Sequence, residues 1–383
     1  MKILVVTGGY LPAQKYGGPV TSLVNFVSQL GDEYEIEIVA RNHDLHEKKP
    51  FDGILPGFNP VGKAKVLYLP DSELGFQSFN RIIAERKPDC LYLSSIFDYA
   101  LNLPLLRIAK KKNIPVIYAP RGELNPNVLA MKALKKKVFL FTMRLLGVYK
   151  GVYFQATNES EKEYVCSALK VPPDTVFALP NLSALPIERG HIQKESGRLS
   201  VVFISRIHRS KNLLYAIERL MTLKGKISFD IYGPIEDADY WQTCRDFMQK
   251  LPTNVSAVYK GAVKVGEAIE TFAKYDCFLF PTVSENYSQA IAESVLAGTP
   301  VVISRGTTPW DDVNQNGGFA VELDNPDGFT QALQFLCDAD SNGYTEICFK
   351  LKQYREEKLN SDELCLKYKE MFNLAISSNK DKR

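Results

Sequence analysis

Short apolar runs and longer stretches of helical periodicity alternate along almost the whole chain, which is how strands and helices in turn read from sequence. KILVVT at 2–7 is short, continuous and β-branched, the form of a strand buried on both faces of a parallel sheet. After a Gly/Pro-rich loop, VTSLVNFVSQL sets Val20, Leu23, Val24, Val27 and Leu30 on one helical stripe, with Pro19 suited to the first turn. YEIEIVA (34–40) alternates as a strand does, and CLYLSS (90–95) and PVIYAP (115–120) read as two more, with a helical stretch over 101–112 between them. Residues 181–198, NLSALPIERGHIQKESGR, lose periodicity and turn polar, as a linker does. The alternation then restarts: strands at 200–205, 227–233, 255–261, 277–282, 300–304 and 318–323, and helices at 212–223, 239–251, 265–273 and 289–297.

Strands and helices spaced in this way make βαβ crossovers and parallel sheets. The expectation is therefore α/β, with two doubly wound domains, 1–180 and 199–360, joined by the 181–198 linker and facing each other across a cleft at the carboxyl ends of their strands. A final segment, 361–383, carries an amphipathic helix over 361–377 that can return to the first domain. A length of 383 residues suits two such cores.

Composition narrows the class. Hydrophobic residues make up 45% and charged residues 24%, as in a globular protein, and the net charge of +3 lacks the basic excess of a nucleic-acid binder. Seven scattered cysteines, odd in number and without a CxxC pair, read as reduced thiols of a cytoplasmic protein. No signal peptide is expected, since Lys2 leads straight into an apolar strand, and no apolar stretch is long enough to span a bilayer. His43, His46, His191 and His208 lack metal-ligand spacing, so no metal site is expected.

The chemistry concentrates at the carboxyl ends of the predicted strands. In SENYSQAIAESVLAGTPVVIS (284–304), Glu285 follows the strand CFLFPT and Glu293 lies eight residues on, inside a small-residue helix. In a continuous helix that spacing puts the two about 80° apart, within reach of one ligand. Carboxylates only accept hydrogen bonds, so a pair of them suits a hydroxyl-rich ligand such as a sugar or ribose. The plainer alternative has Glu285 at a helix N-terminus, where negative charge is favoured, and Glu293 solvated. In SRIHRSKNL (205–213), Arg206 and Lys211 stand at another carboxyl edge, where two cations can converge on a diphosphate leaving group without a metal; the alternative is a solvated basic loop. Gly17 and Gly18, just before Pro19, would let backbone amides approach a phosphate, or form an ordinary turn.

GGP near the N-terminus, R-x4-K after the first strand of the second domain, and E-x7-E followed by the small-residue helix and PVVIS together resemble the retaining GT-B glycosyltransferases of family 4, over essentially the whole chain. APRGELNPNVLAMKALKKK (119–137) and the TPW at 308–310 are similar to subgroups that build bacterial surface polysaccharides. The resemblance implies two Rossmann-like domains, an N-terminal one for the acceptor and a C-terminal one for a nucleotide-sugar donor. Arg206 and Lys211 would hold the donor diphosphate and Glu285 the donor sugar. Glu293 would hold the ribose, Gly17 and Gly18 would lie against the phosphates, and Asn286, Tyr287 and Ser288 would line the donor. Chemistry would be metal-independent and front-face, with no enzymic nucleophile and no cofactor. The expected reaction moves a hexose from a nucleotide-diphosphate sugar, UDP-linked rather than GDP-linked, to a glycan or lipid-linked acceptor of lipopolysaccharide, capsule or exopolysaccharide. The competing readings are a sugar-nucleotide epimerase or hydrolase of the same build, which histidine poverty opposes, and an inactive scaffold partnering another transferase.

The chain departs from the family at two points. Relatives often carry a histidine after the strand that here reads CLYLSSIF, where this chain has Ser94 and Ser95 with Asp98 close by, and often carry Phe-Gly where Tyr287-Ser288 stands. Arg121 and Glu123, after PVIYAP, are with Asp98 the acceptor-side candidates; the plainer reading is a turn ion pair between Arg121 and Glu123. No acidic residue occurs from Leu124 to Asn158, while Lys132, Lys135, Lys136, Lys137, Arg144 and Lys150 accompany an apolar stripe of Leu134, Val138, Phe141, Leu145 and Val148. Two readings are open for 131–150: a core helix with a solvated lysine face, or a helix for weak peripheral attachment to the inner face of the cytoplasmic membrane. Asp237-x-Asp239 and Asp338-x-Asp340 look like metal-binding DxD pairs, but the first reads as a helix cap.

Overall fold

The computed structural model describes residues 1–130, 133–189 and 193–380, with the backbone alone at 379 and 380. Lys132, at the start of the basic segment, His191 in the predicted linker, and 381–383 lie outside the described residues. The chain divides into two compact units, Met1–Leu182 with Ser361–Arg383, and Ser183–Asn360.

In the first unit, β1 (Lys2–Val6), α1 (Gly18–Leu30), β2 (Glu35–Arg41), β3 (Phe58–Val61), β4 (Ala64–Leu69), α2 (Phe76–Arg86), β5 (Cys90–Ser94) and α3 (Tyr99–Lys112) are followed by β6 (Val116–Ala119), α4 (Pro126–Ala130), α5 (Ala133–Leu145), β7 (Tyr153–Ala156), α6 (Glu159–Leu169) and β8 (Val176–Ala178). The sheet order is β3-β4-β2-β1-β5-β6-β7-β8, parallel except for the β3–β4 pair. β1 shows why its sequence has no polar alternation: Leu4 and Val6 face one buried cluster while Ile3 and Val5 face another. β2 differs from its sequence pattern. The alternation suggests one wet face, yet Glu37 is fully buried, and its carboxylate accepts from the Arg86 guanidinium of α2.

In the second unit, β9 (Arg198–Ile204), α7 (Leu213–Arg219), β10 (Lys226–Tyr232), α8 (Ala238–Met248), β11 (Val255–Gly261) and α9 (Ala268–Phe272) precede β12 (Cys277–Phe280), α10 (Gln289–Leu296), β13 (Val301–Ser304), β14 (Phe319–Val321), α11 (Pro326–Asp338) and α12 (Ser341–Lys358). The sheet order is β11-β10-β9-β12-β13-β14, all parallel. The stretch read as a linker is docked on this unit: Arg189 donates to the carbonyls of Gly298 and Tyr275, and buried Lys194 to that of Cys337.

The last helix, α13 (Ser361–Lys380), packs on the first unit. Its Phe372 ring lies 6.0 Å from Phe26 and 5.9 Å from Tyr92, and the Tyr368 hydroxyl donates to the Pro180 carbonyl at 3.0 Å.

Each sheet reverses its winding once, between β1 and β5 in the first unit and between β9 and β12 in the second. Loops leave such a pair in opposite directions and open a crevice at the carboxyl edge, where doubly wound sheets take their ligands. The loop after β9 carries Arg206 and Lys211, and the loop after β12 carries Glu285.

Candidate active site

Two residues expected at the donor site, Lys211 and Glu285, come together in the crevice of the second unit. The loops after β9 and β12 are tied by backbone: the Val283 N–H donates to the Ser210 carbonyl at 3.0 Å, and the Thr282 hydroxyl to the same oxygen at 3.1 Å. That tie brings the Lys211 ammonium onto Glu285 Oε1 as an ion pair, with about one seventh of each side chain exposed. Thr282 Oγ1 also lies 3.1 Å from Glu285 Oε1 and shares its single proton between that oxygen and the Ser210 carbonyl, and the Glu285 N–H donates to the Thr307 carbonyl at 2.7 Å. Glu285 therefore stands in a loop, not on a helix, since α10 starts four residues later. Its carboxylate is held at Oε1 by Lys211 and Thr282, and its backbone by Thr307, before any ligand arrives.

Arg206 is placed differently. It pairs with Glu236 at 2.5 Å and is 41% exposed. The two cations expected to converge on one anion thus have separate carboxylate partners.

α10 carries the second carboxylate of the motif. Gln289 opens the helix and Glu293 follows one turn later. Glu293 is 8% exposed, so the solvated reading of it does not hold. Burial pushes its carboxyl up to about 8; the nearby Gln289 side chain opposes the shift without closing a hydrogen bond of ordinary geometry. Ser288, just before the helix, has φ 64° and ψ 85°. A side chain in that region costs about 1–3 kcal/mol, which explains why glycine is frequent there in the family the sequence resembles. No side chain caps α10, so its first amides point from the helix end with their positive dipole.

Tyr287 was expected to line the donor, but its ring is buried and its hydroxyl is engaged with Ser183 Oγ at 3.1 Å. Its carbonyl accepts from the indole N–H of Trp310, which is 1% exposed. The TPW stretch thus braces the 285–288 turn from behind, a role that residue type alone does not announce. Asn286 is half-buried in the same turn.

In the first unit, a pocket of about 710 Å³ opens at the β1–β5 reversal, lined among others by Tyr16, Arg41, Ser95, Asp98, Arg121 and Glu123. Glu123 makes no turn ion pair with Arg121. It accepts from the Ser95 hydroxyl at 2.6 Å and the Phe97 N–H at 3.2 Å, while Arg121 donates to Asn181 and, at 3.1 Å, to the Tyr92 hydroxyl. Burial raises the Glu123 carboxyl above its ordinary range against the pull of those donors. Asp98 is clamped by Arg41 through two bonds of 2.6 and 3.1 Å, and Arg41 also holds Asp71 at 2.9 Å. Ser95 and Arg121 both have positive φ, 67° and 55°, so two strained residues border one pocket. Gly17 enters α1 with φ 62° and ψ −135°, a conformation open to glycine, and Gly18 begins the helix.

The two DxD look-alikes are helix caps: Asp237 accepts from the Tyr240 N–H and Asp340 from the Gly343 N–H.

The sheet pair agrees with the fold of solved structures, and the sequence has relatives. Residues 198–339, all within the second unit, match the family of group 1 glycosyl transferases. An uncharacterised glycosyltransferase of Methanocaldococcus jannaschii is 24% identical over 333 residues, covering 79% of this chain and 80% of that protein. A GDP-mannose-dependent alpha-mannosyltransferase of Corynebacterium glutamicum is 29% identical over 158 residues, 40% of this chain and 35% of that protein. Among solved structures, Anabaena HepE in complex with UDP and glucose aligns with a TM-score of 0.71 over 97% of this chain and 99% of that chain, at 14% identity. The fold is the two-domain GT-B fold. In sequence the chain is thus similar to group 1 glycosyl transferases over 198–339 and to a glycosyltransferase over most of its length.

Proposed function

We propose that this chain is a retaining, metal-independent hexosyltransferase that takes a nucleotide-diphosphate sugar, UDP-linked rather than GDP-linked, and glycosylates a glycan or lipid-linked acceptor of a bacterial surface polysaccharide. The observation that carries the reading is the Lys211–Glu285 pair on the carboxyl-edge loops of one sheet reversal, with Glu293 buried in the helix that follows. In this reading Lys211 and Arg206 neutralise the departing diphosphate, joined by the uncapped amides of α10. Glu285 accepts from hydroxyls of the donor sugar, and Glu293 from the ribose. Gly17 and Gly18 are proposed as further phosphate contacts. The sugar C1–O bond to phosphate breaks as the acceptor oxygen bonds C1 on the same face, and the acceptor proton passes to the departing phosphate oxygen. No protein nucleophile takes part.

Acceptor binding is assigned to the first unit's pocket. Glu123, buried and held by Ser95, and Arg121 are its chief polar groups. Asp98, fixed by Arg41, acts there by orienting Arg41 and not as a free base. The exposed face of α5 supports attachment of the protein to an anionic membrane surface at the cytoplasmic side, where a lipid-linked acceptor resides. Leu134, Val138, Phe141 and Leu145 are 58–77% exposed beside exposed Lys135 and Lys137, so the core-helix reading of the stripe does not describe it. Leu140 and Met143 are the buried residues of that helix.

The test is a thermal-shift and transfer assay with EDTA present. UDP or a UDP-sugar is expected to raise the melting temperature. Glu285→Ala and Lys211→Ala are each expected to abolish transfer with the fold retained. Near-wild-type turnover in either variant, or no nucleotide shift at all, would overturn the assignment.

A further inference from the structure

Gln289 is an expensive choice for the place it occupies. Its side chain is 9% exposed, and neither its Nε2 nor its Oε1 has a hydrogen-bond partner. A carboxamide has two donors and two acceptor lone pairs to satisfy. A buried polar group left without partners calls for a specific explanation. An apolar residue would serve the fold better here, because the helix around it, with Ile291, Ala292, Val295 and Leu296, is fully buried.

The explanation lies one turn along. Gln289 and Glu293 are four residues apart and share a helix face. Both are buried, and no cation faces Glu293 within ion-pair distance among the described residues. Two such groups on one face of one short helix are complementary to a ligand that brings both donors and acceptors. A vicinal diol does so. One hydroxyl donates to the Glu293 carboxylate, the other donates to Gln289 Oε1, and Gln289 Nε2 donates to a hydroxyl oxygen. A phosphate has no proton to offer either oxygen, and an aliphatic ring has none at all.

We propose that Gln289 is a specificity-determining residue of the donor site, reading the cis-diol of the nucleotide ribose together with Glu293. This rests on the donor-site reading of Glu293 given above. The residue acts in recognition of the nucleotide and not in the transfer step.

Titration calorimetry with UDP, GDP and their 2′-deoxy analogues tests it, on the wild-type protein, Gln289→Leu and the nearly isosteric Gln289→Met. Wild type is expected to bind one ribonucleotide at least about tenfold more tightly than its deoxy analogue, in line with one or two hydrogen bonds to a buried group. In both variants the ribonucleotide is expected to lose about tenfold, the deoxy analogue to be nearly unchanged, and the ratio to fall towards one. Ligand-free melting temperatures of the variants should equal or exceed that of wild type, which shows the fold is intact. Undiminished ribose discrimination in both variants, or an equal loss for ribo and deoxy ligands, would overturn this proposal alone. Absence of any nucleoside diphosphate binding by wild type would overturn the donor-site reading and this proposal with it.

Discussion

Glu293→Gln separates what the second carboxylate costs the fold from what it contributes to binding. The Glu293 carboxyl titrates near 8 in the folded chain, against an ordinary value of 4.5, because burial penalises its charge. Between those two pH values the folded state holds a proton that the unfolded state has released. Stability therefore falls as pH rises through the window, by about 1.4 kcal/mol per unit, and the full penalty, about 5 kcal/mol, is present above pH 8. The Tyr287 phenol, which is electrostatically coupled to this carboxyl, is itself pushed up to about 12 by burial and does not titrate in the window. Glutamine keeps the shape and removes the charge. Melting curves of ligand-free wild type and Glu293→Gln should coincide near pH 4.5 and diverge upward, with the variant gaining about 2–4 °C per kcal/mol for a unit of this size. The same variant should lose nucleotide binding by calorimetry. A carboxylate that serves binding and not stability predicts this opposition. Parallel melting curves for the two proteins from pH 5 to 8.5 would refute the reasoning, because a solvated or paired carboxylate gives no divergence.

Arg86→Ala should destabilise the first unit by about 3 kcal/mol in chemical denaturation, because it strands the fully buried Glu37; adding Glu37→Gln should recover part of the loss, and a neutral Arg86→Ala would show that Glu37 is not held by charge. On α5, the wild-type chain should float with vesicles rich in anionic lipid at low salt and dissociate as salt is raised, and the double variant Phe141→Asp/Leu145→Asp should fail to float while melting normally. Equal flotation of that variant, or none by wild type, would remove the membrane assignment.

Periodicity carried much of the fold because a parallel strand buried on both faces has no polar interruption. β1, β5, β6 and β12 are visible for that reason. The elements it missed are those whose burial depends on neighbours. β3 is a four-residue edge strand containing Pro60, and β8 has three residues, so neither has the length to show a period. α12 has charged residues on nearly every side, and one of its four buried positions, Tyr344, Leu351, Tyr354 and Arg355, is itself an arginine, so no apolar stripe shows. Residues 181–198 looked like a linker because they are polar and aperiodic: Arg189 and Lys194 are polar residues that are docked, and sequence shows the polarity without the docking.

The site was legible wherever function requires a charge at a strand end, since a carboxylate or ammonium there has few structural uses. Lys211 and Glu285 stood out in that way, and the structure joins them directly. What stayed hidden were costs that exist only in three dimensions. Ser288 is an ordinary serine until its φ of 64° is known, and Gln289 an ordinary glutamine until its burial is. Tyr287 is the converse, an aromatic beside the motif that invites a ligand-stacking role, yet its ring is committed to the core and its carbonyl to Trp310. The three neighbours thus divide the work of one turn. Tyr287 anchors it from behind. Ser288 bends it through a conformation that serine tolerates poorly. Gln289 keeps an unsatisfied amide on the face that Glu293 shares. A fold selected for stability alone would replace the last two with glycine and leucine. On the donor-site reading proposed above, their presence together beside a buried carboxylate marks the ligand's place more sharply than the spacing of the glutamates does.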